Sequence, residues 1–184
     1  MPKKEKAATT SSASTAVATA KAAKASASST SAATGSAGAA AGASVLTAST
    51  YNDIQISGGT AGTAETEANA LFSNIDQTNL AGVSAADLAV IKATHDAAED
   101  AETDAFNPAV DAASGDAATA LTNGKIKNKV LKLTAEVLGI RIDAAQGGDD
   151  SELAAEQAKL ANNIKLDTAA NGQASTAVPF DATT

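Results

Sequence analysis

The chain has no cysteine and no tryptophan, one histidine, one methionine, three prolines, and aromatic side chains at only 2% of its 184 residues. The missing thiols exclude disulfides, thiolate metal sites and cysteine nucleophiles. They leave the compartment open, because helical domains outside the cell need no bridges. With so few rings, a core has to be built from Ala, Val, Leu and Ile, which let helices approach closely. No run of eighteen apolar residues occurs, so no membrane-spanning helix is expected. The nucleophile elbow, the HExxH pair, the phosphate loop and the dinucleotide fingerprint are all missing. No spacing of Ser, Asp and the single His makes a triad, so neither an enzyme nor a cofactor is expected.

Charge is unevenly spread. Lys3, Lys4, Lys6, Lys21 and Lys24 against Glu5 give the first fifty residues +4, which leaves −12 for the remainder of a chain whose total is −8. The acidic part should repel nucleic acid. The first fifty residues are mostly Ala, Ser, Thr and Gly and have little to bury, so they cannot recover the ordering entropy of about 1–2 kcal/mol per residue. The chain therefore divides into a disordered low-complexity leader over 1–50, a helical bundle domain over 51–173 and a flexible tail over 174–184. In that tail only Val178 and Phe180 could dock. The opening MPKKEKAATTSS and the tract after it also lack the Leu-, Val- or Phe-rich segment of a signal peptide. Read from residues alone, the chain is not exported by the usual route.

The most apolar stretch is 125–146. Ile126, Val130, Leu133, Val137 and Ile140 recur at helical spacing, and Leu131, Leu138 and Ile142 form a second row beside them. Two rows predict a central helix buried on a broad arc. A first helix is expected over 62–75, after a short extended lead-in YNDIQIS at 51–57. A second opens at Ser84, which has Asp87 at capping-box spacing. Phe106-Asn107-Pro108 is read as the end of that helix, with Asn107 capping the next and Pro108 at its first position. Ser114-Gly115 and Asn123-Gly124 could each interrupt the helical pattern beyond Pro108, so 108–146 is one helix or two. Gly147-Gly148 closes the central helix, and a last helix over 151–169 carries Leu153, Leu160 and Ile164. The fold class expected is all-α, an up-and-down bundle of four or five helices.

Three sets of polar residues stand out. His95 lies on the apolar face of the second helix, where a boundary residue with a hydrogen bond is the ordinary outcome. Asp96, Asp100 and Asp104 form a stripe with Glu99 and Glu102 beside it; no calcium-loop pattern accompanies them, so no metal site is expected. Lys125, Lys127, Lys129 and Lys132 crowd the start of the central helix. Both charge sets sit at helix ends that disfavour them, which predicts that acids and lysines face each other across the bundle, given a break at Asn123-Gly124. Asp96, Asp100, Asp104, Lys125, Lys129 and Lys132 are the candidate interaction surface.

The stretches YNDIQISGGTAGTAETEANALF, AAEDAETDAFNPAVDAASGD and NGKIKNKVLKLTAEVLGIRIDAAQGGD together resemble a family of fungal small secreted proteins, over 51 to about 173. The resemblance implies a cysteine-free helical domain behind a signal peptide, found in fungi that live on or with plants, with no established activity. It implies an extracellular destination, where the residues at the start of this chain imply a cytoplasmic or nuclear one. The expected function is a non-enzymatic interaction or structural protein, secreted or surface-associated and effector-like, whose partner is a protein or a cell-wall or host component. Two other readings stay open. One is a carrier of a small apolar ligand in a cavity lined by Leu131, Leu138 and Leu160; the other is an intracellular protein whose lysine-bearing tail contacts nucleic acid. Oligomeric state is left open.

Overall fold

Helix α5 (Gly115–Ala145) is about 46 Å long and is the axis of the domain. A computed structural model describes residues 42–184; the disorder expected for residues 1–41 lies outside the described residues. Along α5, Val130, Leu131, Leu133, Ala135, Val137, Leu138 and Ile142 are all buried, which a helix with one partner could not achieve. Three elements cover it: α3 (Ala85–Ala101), α6 (Leu153–Ala169) and α2 (Ala64–Leu71). The main core joins Ile56, Ala68, Phe72, Ile75, Val83 and Ile91 to Val130, Leu131, Ala135, Leu138 and Ile142 of α5. The all-α bundle expected from periodicity is thus the observed architecture.

Ser84 caps α3. Its hydroxyl accepts from the Asp87 amide at 3.0 Å and donates to the Asp87 carboxylate at 2.8 Å, so the short acid closes the box from its own side. The expected stop at Phe106-Asn107-Pro108 does not occur. A π turn over Glu102–Phe106 carries α3 straight into α4 (Asn107–Ala112), and Asn107 has helical φ −58 and ψ −52 instead of a cap conformation. The physical reason is Pro108. It lacks an N–H and its ring needs room beside the carbonyl four residues earlier, and a π turn supplies that room without ending the helix.

The real break comes at Ala113-Ser114, both extended, with Gly115 at φ +59. Asn123-Gly124 lies inside α5 and breaks nothing. A Cβ at Gly124 would collide with the Thr176 carbonyl oxygen, and Asn123 donates its side-chain N–H to the Ala174 carbonyl at 2.9 Å. This pair is where the tail lands.

The tail is accordingly not loose. Strand β2 (Ala174–Ser175) pairs antiparallel with β1 (Gly59–Thr60), Thr176 N–H donates to Ala120 O, and the Thr184 amide donates to Ser49 O. Phe180 sits edge-on to Tyr51 at 6.1 Å, as the expected docking residue does. The leader boundary shifts too, since residues 42–50 are bound to the domain: the Asp87 carboxylate receives Val45 N–H and Leu46 N–H, and Thr50 caps the single turn α1 (Tyr51–Ile54). YNDIQIS is therefore a helical turn followed by an extended run. Helix α2 is shorter than expected, because Gly62 at φ +110 stays outside it and Phe72 leaves it, although Phe72 and Ile75 still reach the core.

Candidate functional site

Helices α3 and α6 each lie along α5 but scarcely touch each other, so one face of α5 between them stays open. The opening is a groove in two joined parts that share His95 and Glu136. One part, about 340 Å³, is lined by His95, Glu99, Lys129, Lys132, Leu133, Glu136, Glu156, Lys159 and Asn163. The other, about 660 Å³, is lined by Lys92, His95, Asp96, Glu136, Ile140, Asp143, Asp149, Ser151 and Glu152.

Acids of α3 and its π turn do meet lysines of α5. The partners are Glu99 and Glu102, not the aspartate stripe, and no helix break is needed. Lys132 Nζ lies 2.6 Å from Glu102 and also reaches Glu99, while Lys129 lies 3.4 Å from Glu102. Burial works against the charge of Lys132, yet its hydrogen bonds and attraction to Glu102 and Glu99 outweigh burial and hold its pKa above the ordinary lysine value. Glu102 is the mirror case. Burial alone would raise its pKa, and the Lys132 hydrogen bond, then the charges of Lys132 and Lys129, hold it below the usual carboxylate range. Further along, His95 Nδ1 lies 3.1 Å from Glu136, and Lys92 lies 2.8 Å from Asp143.

The expected surface is only partly gathered. Lys129, Lys132 and Asp96 line the groove; Asp100 and Asp104 are exposed outside it, and Lys125 lies half-buried beyond its end. Among the described residues no cluster of His, Asp and Glu is placed to hold a metal ion.

Sequence reading missed a set of buried polar anchors. Lys127, 1% exposed, donates to Gly58 O at 3.0 Å, Thr60 O at 3.1 Å and Glu67 at 3.0 Å. Asp167 accepts from the Gly62 and Ala64 amides, both at 2.9 Å, and so holds the entry of α2. Tyr51 donates to Asn128 at 2.7 Å, Asn128 donates to Ala98 O at 2.8 Å, and burial pushes the tyrosine hydroxyl up to about 12. A signal for Lys127 did exist. Its position falls on the arc of Val130, Leu131 and Thr134, where a lysine needs buried acceptors, whereas 125, 129 and 132 lie on the other side.

A second hollow, about 340 Å³, opens over α5 between α2 and α6 and is lined by Phe72, Ile75, Val137, Leu138 and Leu160 with Asn69, Gln77 and Arg141. Leu131 is packed in the core away from it.

These features define an all-α bundle wound on one long helix, strapped at both ends by extended chain and carrying a groove of paired charges. The chain belongs to the family described as a domain of unknown function (DUF8454), whose profile matches residues 46–179. That span includes the docked segment from Leu46 as well as the bundle. No curated protein and no solved structure matches the chain.

Proposed function

We propose that the protein is a non-enzymatic interaction protein that holds a partner along the groove between α3 and α6, and that it works outside the cell or at its surface. The observation that carries this reading is that α3 and α6 each pack along α5 but leave the face between them open over the combined length of both cavities. The groove is charged rather than apolar, which suits a polar partner surface better than a small apolar ligand. Its only histidine is tied to Glu136, Lys92 is paired with Asp143, and Lys129, Lys132 and Lys159 are paired with glutamates. At the end away from Lys132 the acids Asp96, Asp149 and Glu152 exceed the bases, so that end favours a cationic surface. The fungal, plant-associated setting implied by the resemblance belongs to the same proposal.

The test is capture from the surroundings of the producing cell with the intact chain and with an Asp96→Lys, Glu152→Lys variant. Both positions are exposed or at the groove rim, so folding should be kept. A partner retained by the first, lost by the second and released by salt supports the reading. Equal retention by both chains removes the groove from it. The carrier reading draws on the α2–α6 hollow, which is of ligand size but open and rimmed by polar groups.

A further inference from the structure

We propose that Asn171 is a site of spontaneous deamidation and that this modification unlatches the C-terminal tail, while the other Asn-Gly pair, Asn123-Gly124, is protected by the fold. The chemistry needs no enzyme. The Gly172 backbone nitrogen, on losing its proton, attacks Cγ of Asn171; the N–Cγ bond forms, the Cγ–Nδ2 bond breaks, and the side-chain nitrogen leaves as ammonia. Water then opens the resulting succinimide at either carbonyl, giving aspartate or isoaspartate. Glycine in the second position is the favourable case, because no Cβ shields the attacking nitrogen.

The two pairs stand in opposite surroundings. Asn123 is buried in the middle of α5, and its side-chain N–H is held by Ala174 O at 2.9 Å. Ring closure there needs a backbone rotation that the helix forbids. Asn171 is exposed, two residues past the end of α6, and Gly172 has φ +81 in an open turn. One bond gates the reaction: the Gly172 N–H donates to Ala61 O at 3.0 Å. This bond lies at the end of a two-stranded ladder only two residues long, where local opening is easiest.

The consequence comes from the contacts of Asn171. Its side chain lies flush across the Cα of Gly62, leaving no room for a Cβ there. Asp167, four residues earlier, already holds the Gly62 and Ala64 amides with its carboxylate. A second carboxylate at 171 puts like charges at i and i+4, both aimed at the same turn. Isoaspartate also lengthens the backbone by one carbon, which takes the Gly172–Ala61 and Ala61–Gln173 bonds out of register. The 61–173 clasp loosens, and β2 with it.

The full chain is aged in mildly alkaline buffer, natively and in urea, and mapped by peptide mass spectrometry that distinguishes isoaspartate. Loss of the amide at Asn171 alone in the native sample, and at both pairs in urea, is the expected result. Native protection of Asn171 equal to that of Asn123, or faster conversion of Asn123, overturns the site. Hydrogen exchange tests the unlatching: the Ala61 amide should exchange faster in the aged protein and in fresh Asn171→Asp, and stay slow in aged Asn171→Gln. An Ala61 amide as protected in aged protein and in Asn171→Asp as in the fresh chain overturns it.

Discussion

Asp87 shows how one side chain can serve two segments. It closes the cap of α3, receives the amides of Val45 and Leu46, and accepts from the Ser44 hydroxyl at 2.8 Å. Burial by itself would raise its pKa, but the hydrogen bonds from Leu46, Ser44, Ser84 and Val45 together hold it below the usual carboxylate value. A carboxyl with a depressed folded pKa binds more protons when the chain unfolds. Its stabilisation is therefore complete above the unfolded value of about 3.9 and is lost as pH falls through the folded pKa. We expect Asp87→Asn to cost about 1–3 kcal/mol at neutral pH and to flatten the acid limb of the stability curve. Urea unfolding of both chains across the acid range checks this, and parallel acid limbs would contradict it. Half of this was legible in sequence: the Ser84–Asp87 spacing announced a cap, but nothing local told that residues 44–46 would return to it from about forty residues away. Asp167 was hidden for the same reason, since its partners are backbone amides of a distant turn, which carry no sequence signature; for Lys127 the apolar arc signals burial, but not the distant groups that receive it.

At the scale of elements, the seam between α5 and the tail is decided by Gly124. Alanine is the better helix former by about 1 kcal/mol, so propensity alone favours Gly124→Ala. Packing opposes it, because the new methyl would meet the Thr176 carbonyl, a backbone atom that cannot rotate away. Overpacking of this kind costs about 1–3 kcal/mol and should win. We expect a lower denaturation midpoint and faster exchange of the Thr176 amide, which now donates to Ala120 O; a variant more stable than the parent would refute the packing argument. The same seam decides one open reading and explains one misreading. Asn-Gly is a turn signal when nothing packs on it, and a tail poor in large side chains reads as loose when its attachment is by backbone hydrogen bonds. The π turn was equally hidden, because Pro108 signals a helix start or a widened turn with the same residue.

For the whole molecule, charge is the most informative quantity. The acidic excess lies in 51–184, and five lysines lie within the first twenty-four residues, so each part has its own expected surroundings. On the proposed extracellular destination, the protein should be recovered from the culture medium of its source as well as from cell extract. A blot of both, beside the sequenced 5′ end of the transcript, checks this, and recovery from the extract alone would favour the intracellular reading. Sequence by itself determined the fold class, the central helix, the cap of α3 and the facing of acids and lysines. Those follow from side-chain periodicity and local capping, which act within a few residues. Only the tertiary structure decided which glycine breaks a helix, which groups receive the buried lysine, that the described chain segments flanking the bundle are strapped down, and that α3 and α6 leave a groove open between them. Each of these depends on a contact between residues far apart in the chain, and pairing across such distances is set by how the helices pack, not by the residues on either side.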